Sequence, residues 1–261
     1  MHSIRVDRPT DWPTCNVYIL ADLHIGDPHC DMAAVNAQIR RIQDDPHGVA
    51  ICNGDLLNTA LKTSVSDVYG EVLKPIDQIV AVSDLLMPIK EKIIGVTTGN
   101  HENRVYRNDG IDIMRIVCRE LGIEDKYGPD GVMIFFRFGR GNMHTRHPEN
   151  PRQLFMIYAT HGSGGGRKEG SKAMRLAELA DIVDADIYIR SHVHMPLIMR
   201  ERFYRTNTAQ SAVHPVDRLY VNTAATLEYG GYAQQKEFKP ASLKAPIIRL
   251  NAKAGTAEAI L

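Results

Sequence analysis

Apolar runs and polar turns alternate along the first half of the chain. Apolar residues at spacings of three and four predict amphipathic helices over residues 32–44 and 113–121. A further helical stretch is expected from about Asp67, with Pro75 as a kink or a restart. Three short apolar runs each predict a buried strand that ends in a polar turn: Val17–Ala21, Val49–Cys52 and Lys92–Thr97. This repetition of strand, turn and helix is typical of an α/β fold.

The second half of the chain predicts more strands than helices. A helix is expected at Ser171–Val183, a polar loop at residues 139–152, and a hairpin that pairs Leu197–Tyr204 with Arg218–Asn222. The remaining apolar runs predict strands, the last of them at a sheet edge: Val132–Phe138, Leu154–Ala159, Asp186–Arg190 and Ile247–Leu250. No repeat, low-complexity segment or linker interrupts the pattern, so we expect a single domain over residues 1–261.

Composition narrows the class of protein. Lys and Arg together number 31 and so do Asp and Glu, so there is no overall basic field that would indicate nucleic-acid binding. The cysteines show no C-x-x-C spacing and suit a reducing compartment: Cys15, Cys30, Cys52 and Cys118. The amino terminus lacks the apolar segment of a secretory signal, and no stretch is long enough to span a bilayer. We therefore expect a cytoplasmic protein without a membrane partner.

Side chains that can bind a metal follow five of the predicted strands. The residues are Asp22 and His24, Asp55, Asn100 and His101, His161, and His192 and His194. In α/β sheets the ligand lies beyond the carboxyl ends of the strands, and all five turns fall there. Each residue taken alone is more often an ordinary turn or loop residue. Together, in a chain with eleven histidines, their carboxylate and imidazole groups indicate a site for divalent transition metals.

The two candidate ligands in the first of these turns are expected to face the same side of the chain. Asp22 and His24 are two positions apart, directly after the strand predicted at Val17–Ala21. Residues two apart on an extended chain face the same side. If the extended geometry continues through the turn, the carboxylate and the imidazole project together.

The strand-end blocks resemble the calcineurin-like metallophosphoesterase family, whose pattern runs D-x-H, G-D, G-N-H-[DE], H and G-H-x-H. Here the blocks occur in the same order over about residues 16–194: Asp22–His24, Gly54–Asp55, Gly99–Glu102, His161–Gly162 and Ser191–His194. The chain departs from the pattern twice. Ser191 replaces the usual glycine, and Asn58 stands where many members continue G-D-x-x-D. Neither departure removes a residue of the metal-ligand set.

The resemblance implies a four-layer α/β/β/α sandwich of two mixed sheets flanked by helices, with a metal site at the carboxyl ends of the strands. It also implies two divalent metal ions, with manganese expected and iron or zinc as alternatives. By the same resemblance one metal is held by Asp22, His24 and His194. The other is held by Asn100, His161 and His192, and Asp55 bridges both.

The resemblance further implies hydrolysis of phosphomonoesters or phosphodiesters by a hydroxide that bridges the two metals. His101 would face the substrate and either stabilise the transition state or protonate the leaving oxygen. Glu102 either orients His101 or is an acid favoured at a helix amino terminus.

Two features outside the family pattern are candidates for substrate binding. Arg104 could contact the phosphate, with a surface salt bridge as the alternative. The glycine-rich loop Ser163–Gly166 is followed by Arg167 and Lys168, and it could form either a substrate lid or simply a flexible loop. We take Arg104 and Arg167 as the candidate substrate-binding residues.

The substrate class stays open among small phosphoesters and nucleotides, and the oligomeric state is not predicted. His192 and His194 complete both metal sites, as in the phosphodiesterase and nuclease branches of the family. The turn at residues 54–60 lacks G-D-x-V-D-R-G, which disfavours a protein phosphatase. A nuclease acting on DNA or RNA is the alternative and requires a basic groove from arginine clusters: Arg137 and Arg140, Arg146 and Arg152, Arg167 with Lys168, and Arg200, Arg202 and Arg205. A non-catalytic binding scaffold is disfavoured because every expected ligand and His101 are present.

Overall fold

Seventeen named elements of secondary structure run through the part of the chain that the computed structural model describes: residues 1–9, 11–62, 64, 68–139, 153–164, 166, 168–235 and 237–261. In chain order they are β1 (His2–Arg8), β2 (Thr14–Leu20), α1 (Met32–Asp44), β3 (Gly48–Asn53), α2 (Pro75–Leu86), β4 (Ile93–Thr97), α3 (Asn100–Asp109), α4 (Ile113–Leu121), β5 (Val132–Phe138), β6 (Gln153–Thr160), α5 (Glu169–Ala177), β7 (Ile187–Arg190), β8 (Leu197–Asn207), β9 (Ala212–Asn222), α6 (Gly231–Gln235), β10 (Ile247–Asn251) and β11 (Thr256–Ile260).

The strands form two mixed β-sheets. Within the described residues one sheet has six strands in the order β1–β5–β6–β7–β9–β8, and the other has five in the order β11–β10–β2–β3–β4. In the five-stranded sheet β2, β3 and β4 run parallel to one another. In the six-stranded sheet β6, β7 and β9 do the same. Parallel strands end at the same edge of a sheet, so the turns that follow them lie side by side.

The largest hydrophobic core lies between the two sheets. Val17, Ile19 and Ile51 of the five-stranded sheet belong to the same buried cluster as Phe136 and Ile189 of the six-stranded sheet, and each is at most 3% exposed. Side chains alternate across a strand, so each sheet turns its other face away from this core. Packing of the two inner faces sets how the strand ends of one sheet meet those of the other.

Helices cover the outer faces of both sheets. Val35 of α1, Val82 of α2 and Val117 of α4 pack in a second core with Leu20 of β2. Leu176 of α5 belongs to a third core with the stacked rings of Tyr188 and Tyr220, whose centroids are 4.9 Å apart. The expected four-layer α/β/β/α arrangement is therefore confirmed. Among the described residues, no helix combines the length and apolar character that crossing a membrane requires.

Local sequence explains where the helices begin and end. The Asp31 side chain accepts a hydrogen bond from the backbone N–H of Ala34 at 2.9 Å and caps α1. Asp112 caps α4 in the same way, through the N–H of Arg115. Gly122, at a φ of 71°, ends α4 in the left-handed conformation that glycine adopts without strain. Pro75 begins α2, where its missing N–H costs nothing.

Most predicted elements are present, but three predictions need correction. The helix expected from about Asp67 begins at Pro75, and the helix expected at Ser171–Val183 is α5 followed by a 3₁₀ turn at Glu178–Asp181. β10 is not an edge strand, because it lies between β11 and β2. β1, β11 and α6 lie outside the predicted elements, and α3 is anticipated only through the alternative of a helix amino terminus at Glu102. β1 and β11 are short edge strands with alternating burial, which gives a weaker signal than a continuous apolar run. The loop predicted at residues 139–152 lies outside the described residues from residue 140 onward.

Lys92, which directly precedes β4, is hydrogen-bonded to the carboxyl end of α1, and these bonds should stabilise the fold. Its ammonium group donates hydrogen bonds to the carbonyl oxygens of Ile42 at 2.7 Å and Gln43 at 2.9 Å, and to that of Asp45. A cation at a helix carboxyl terminus also stabilises the helix, because the carboxyl end of the helix dipole carries partial negative charge. Lys92→Met should lower the free energy of unfolding by about 1–3 kcal/mol, measured by urea denaturation.

The matched control is Lys253→Met, which changes an exposed lysine in the turn between β10 and β11. This variant should unfold within about 0.5 kcal/mol of the unchanged protein. Equal stability of the two variants would show that the three carbonyl contacts of Lys92 contribute nothing.

Candidate metal centre

Backbone strain marks the turns that follow the parallel strands. Asp22, His24, Asp55, His192 and His194 all have positive φ, between 50° and 73°. Non-glycine residues rarely adopt this conformation, and each instance costs roughly 1–3 kcal/mol. Five such residues at one edge of the molecule indicate that the surrounding structure holds them there for a functional reason.

The first turn differs from the extended geometry expected for Asp22 and His24. β2 ends at Leu20, so Asp22 and His24 are not on an extended chain. Two left-handed residues separated by Leu23 nevertheless bring the carboxylate and the imidazole into one cluster. The expected outcome holds, but its geometric cause is the pair of left-handed residues.

The first of three metal-competent clusters among the described residues contains Asp22, His24 and His194. His194 Nε2 lies 3.3 Å from Asp22 Oδ1 and 3.2 Å from His24 Nε2. Asp22 and His24 are almost completely buried, at 0% and 2% exposure. One oxygen and two nitrogens thus point at a common position, which a metal ion could occupy.

The second cluster contains Asp55, His161 and His192. His161 Nε2 lies 3.2 Å from Asp55 Oδ2. The amide oxygen of Asn100 lies 2.6 Å from His192 Nδ1 and 3.2 Å from His161 Nε2, so Asn100 adds a fourth donor to this group. The second cluster therefore has the donor types that first-row divalent metals accept.

The third cluster, His24, Asp55 and His101, joins the other two. Asp55 belongs to the second and third clusters, and His24 belongs to the first and third. His101 Nε2 is 3.9 Å from Asp55 Oδ2, and the His101 ring meets the His24 ring edge-on at 4.4 Å. His101 therefore lies against the cluster, at a distance that also makes it a candidate ligand.

Hydrogen bonds orient both carboxylates so that one oxygen of each faces the cluster. Asp22 Oδ2 accepts from the His192 N–H at 3.1 Å and from Thr223 Oγ1 at 3.3 Å. Asp22 Oδ1 is buried and has no hydrogen-bond partner among the described residues. Asp55 Oδ1 accepts from the His101 N–H at 2.8 Å, which leaves Oδ2 toward the imidazoles. The oxygens that remain are the ones that a cation would satisfy.

The backbone also sets the tautomer of His161. Its Nδ1 lies 2.8 Å from the carbonyl oxygen of Asn53, which can only accept, so Nδ1 carries a proton and donates. In the neutral ring Nε2 then has the lone pair and faces Asp55. A carbonyl that fixes the second nitrogen of a ligand histidine is a frequent feature of protein metal sites.

The charges in the site also suit a cation. Burial opposes the ionisation of Asp55, yet its pKa lies well below the usual value because the His161 imidazole faces it. The His194 imidazole lowers the pKa of Asp22 in the same way, again against burial. In return, Asp55 raises the pKa of His161 to about 10, although burial works in the other direction. Buried anionic charge is stable only beside positive charge, which either a protonated imidazole or a bound cation can supply; a cation would displace the Nε2 proton of His161.

Glu102 has a role that the sequence did not indicate. Its buried carboxylate accepts hydrogen bonds at 2.6–3.0 Å from four backbone N–H groups: Gly99, Asp55, Leu56 and Leu57. Burial and the charge of Asp55 raise the pKa of Glu102 to about 7. The bond to Gly99 agrees with the second of the two alternatives for Glu102, an acid at a helix amino terminus. The other three bonds hold the turn that presents Asp55, so Glu102 fixes the Asp55 backbone.

Asn53 and Ser191 connect the two sheets beneath the site. Asn53 Nδ2 donates to the carbonyl of Thr160 at 2.9 Å and to Ser191 Oγ at 2.7 Å. Asn53 Oδ1 accepts from Thr97 Oγ1. Ser191, one of the two departures from the family pattern, thus supplies an acceptor that glycine could not. The sequence offers one indication of the role of Asn53: it is a polar residue directly after the apolar run Val49–Cys52.

Of the two candidate substrate-binding residues, Arg104 belongs to the described part of the chain. Arg104 lies on α3 one turn after His101 and is partly buried. Burial lowers its pKa, and the charges of Asp55, Glu102 and Glu71 act against that lowering, so its guanidinium is within electrostatic reach of the cluster. Arg167 lies outside the described residues.

Comparison with solved structures finds similar chains over nearly their whole length. A conserved uncharacterised protein of Streptococcus pneumoniae, described as a predicted phosphoesterase, has 13% identity and a TM-score of 0.37, with 95% of this chain and 97% of that chain covered. Vps29 of Entamoeba histolytica, solved in complex with zinc, has 14% identity and a TM-score of 0.39, with 94% and 97% covered. At these values neither structure bears on the function of this chain. No curated protein matches it in sequence.

The family comparison is decisive where the individual structures are not. The family model described as calcineurin-like phosphoesterase matches residues 23–196, well over half of the chain. The matched region contains most of the strand-end turns described above. This chain belongs to the calcineurin-like phosphoesterase family.

Proposed function

We propose that this protein is a dinuclear metal-dependent phosphoesterase that hydrolyses phosphomonoesters or phosphodiesters. The proposal depends on one observation: carboxylate, imidazole and amide donors from both sheets converge around Asp55, and Asp55 belongs to two of the three clusters found among the described residues. Family membership supports the same chemistry. The retention of every expected donor argues against a non-catalytic scaffold.

The proposed ligand sets follow the clusters. Asp22, His24 and His194 would hold one cation. Asn100, His161 and His192 would hold the other, with Asp55 shared through Oδ2. Manganese is the expected metal, with iron or zinc as alternatives, because this mixture of oxygen and imidazole donors suits them all. Cations held there would polarise the phosphoryl oxygens and lower the pKa of a bound water.

His101 is proposed to assist departure of the leaving group. Its Nδ1 donates to the carbonyl oxygen of Asn58 at 2.8 Å, so Nε2 is the atom that faces the cluster. The water would lose a proton to solvent, its oxygen would bond to phosphorus while the ester P–O bond breaks, and the imidazolium form of His101 would give its Nε2 proton to the departing oxygen. The proton released by the water restores the imidazolium, so the cycle balances. Arg104, and Arg167 by sequence alone, are proposed to bind the phosphate.

A small phosphoester or nucleotide is the proposed substrate, in preference to nucleic acid. Several arginines needed for a basic groove have acidic partners: Arg137 with Asp7 at 2.8 Å, Arg202 with Asp217 at 3.1 Å, and Arg205 with Asp184 at 2.7 Å. Paired arginines offer less positive field to a phosphate backbone. Arg140, Arg146, Arg152 and Arg167 lie outside the described residues. We also propose a cytoplasmic location, since all four cysteines are free thiols.

The function is tested by metal content and hydrolysis together. Purified protein loaded with Mn²⁺ should hydrolyse bis-p-nitrophenyl phosphate or p-nitrophenyl phosphate. Chelation should abolish the activity and added Mn²⁺ should restore it. Full metal loading without hydrolysis of either ester would contradict the enzyme proposal, and comparison of the two esters decides between diesterase and monoesterase.

Asp55→Asn should remove the charge of the proposed shared ligand and replace one of its two oxygens with an amide NH₂ that cannot bind a cation. We expect reduced metal content and a loss of activity of about a hundredfold or more, because the metals contribute several kcal/mol to transition-state stabilisation. Asp217→Asn is the matched control, since Asp217 lies in the exposed hairpin and pairs with Arg202. Normal metal content and activity in Asp55→Asn would show that Asp55 is not a ligand.

His101→Ala should separate catalysis from metal binding. We expect kcat to fall about 10²–10⁴-fold with metal content unchanged, because His101 acts on the leaving oxygen and not as an essential ligand. The loss should be larger for esters with poor leaving groups, since these need the proton most. His214→Ala, in the exposed hairpin, is the control. Loss of metal from His101→Ala would instead assign His101 to the metal, as its place in the third cluster allows.

A further inference from the structure

Two consecutive residues hold His101 at its ring and at its backbone. The ring Nδ1 donates to the Asn58 carbonyl at 2.8 Å. The hydroxyl of Thr59 donates to the carbonyl oxygen of His101 at 2.7 Å. Thr59 has a φ of 41°, a conformation that a β-branched residue adopts only under constraint. The direction of the His101 ring thus depends on what holds residues 58 and 59 in place.

Glu71 holds this pair through a second set of hydrogen bonds. Its Oε1 accepts from Asn58 Nδ2 at 2.6 Å and from the backbone N–H of Ala60 at 3.1 Å. Its Oε2 accepts from Gln78 Nε2. Gln78 in turn accepts the N–H of Thr59 at 2.8 Å, and it is fully buried. The carboxylate of Glu71 therefore joins three donors around the turn that carries Asn58 and Thr59.

Only an ionised carboxylate fits this arrangement. Within the described part of the chain, the three groups that hydrogen-bond to Glu71 are N–H donors, and a carboxylate has two oxygens that accept and none that must donate. A glutamine at position 71 keeps the size but offers one oxygen. Its amide NH₂ would then face a donor, which leaves a partly buried hydrogen-bonding group unsatisfied. The charge of Glu71 is thus needed for the order of the turn.

We propose that Glu71 is a positioning residue for His101: through Asn58 and Thr59 it fixes the direction in which Nε2 faces the candidate metal centre. This inference rests on the proposed function for its consequence in catalysis. No metal-competent cluster among the described residues includes Glu71, so the proposed effect on turnover does not run through a metal ligand. The charge of Glu71 also acts on Arg104, and a dependence on His101 separates the two routes. Asn58, which departs from the family pattern, takes part with both its carbonyl and its side chain.

The first test is a double-mutant cycle with Glu71→Gln and His101→Ala. Glu71→Gln alone should lower kcat about 10–100-fold, the size typical of groups that orient a catalytic residue, with metal content unchanged and the larger loss for poor leaving groups. In the His101→Ala background the same change should alter kcat by less than about twofold, because the residue it positions is gone. Glu91→Gln is the control. It makes the same substitution at an exposed residue shortly before β4 and should leave kcat unchanged.

Three results, two from kcat and one from metal content, would overturn the proposal. One is an equal loss from Glu71→Gln with and without His101. Another is loss of metal from Glu71→Gln, and the third is unchanged kcat. If Glu71→Gln does not fold, Asn58→Ala supplies the test, because it removes the side-chain link to Glu71 and keeps the carbonyl that meets His101. It should show the same dependence on His101, and additivity would again contradict the proposal.

A second readout does not depend on activity. In protein labelled with ¹⁵N-histidine, the Nδ1–H signal of His101, assigned by its absence in His101→Ala, should be sharp. It should be lost or broadened in Glu71→Gln and retained in Glu91→Gln. A retained signal in Glu71→Gln overturns the positioning role even if no variant hydrolyses any ester. Absence of hydrolysis with the expected loss of signal would instead contradict the proposed function alone.

Discussion

Burial of two carboxylates, Asp22 and Asp55, is the constraint on which the rest of the site depends. Both are at most 1% exposed, and removing a charged carboxylate from water costs several kcal/mol unless positive charge and hydrogen bonds replace the solvent. Convergent imidazoles and backbone N–H groups offset that cost, and the strained turns that place these groups add a further cost of their own. Such an arrangement is poorly explained as a device for stability. It is well explained as a site prepared for divalent cations.

The site also requires that two separate sheets keep their alignment. The five-stranded sheet supplies Asp22, His24, Asp55 and Asn100, and the six-stranded sheet supplies the three remaining histidines. The inner faces of the sheets pack in one core, and Asn53 joins them by hydrogen bonds directly below the ligands. Because interiors are close-packed, a shift of one sheet against the other would separate donors that now lie about 3 Å apart. The core therefore has a role in the geometry of the site as well as in stability.

Sequence predicted the central strands and the residues that converge, because both follow from local patterns: apolar runs mark buried strands, and polar residues after parallel strands meet at one edge. It did not predict the role of Glu102, whose partners Asp55, Leu56 and Leu57 lie 45–47 positions away. It also missed Thr223, which donates to Asp22 across 201 positions. Hydrogen bonds at such separations depend on the packing of whole sheets, which no local pattern specifies.

One short turn connects the proposed metal chemistry to the proposed proton donor. From Asp55 to Leu57 the backbone N–H groups donate to Glu102. The next three donate to the Ile25 carbonyl, to Gln78 and to Glu71. Every backbone donor in the turn thus has a partner, and two buried or partly buried carboxylates, Glu102 and Glu71, accept four of these six bonds. Glu102 fixes the half that carries Asp55, and Glu71 fixes the half that faces His101. The distance between Asp55 and His101 is therefore set by a turn whose backbone cannot rearrange without breaking several hydrogen bonds at once.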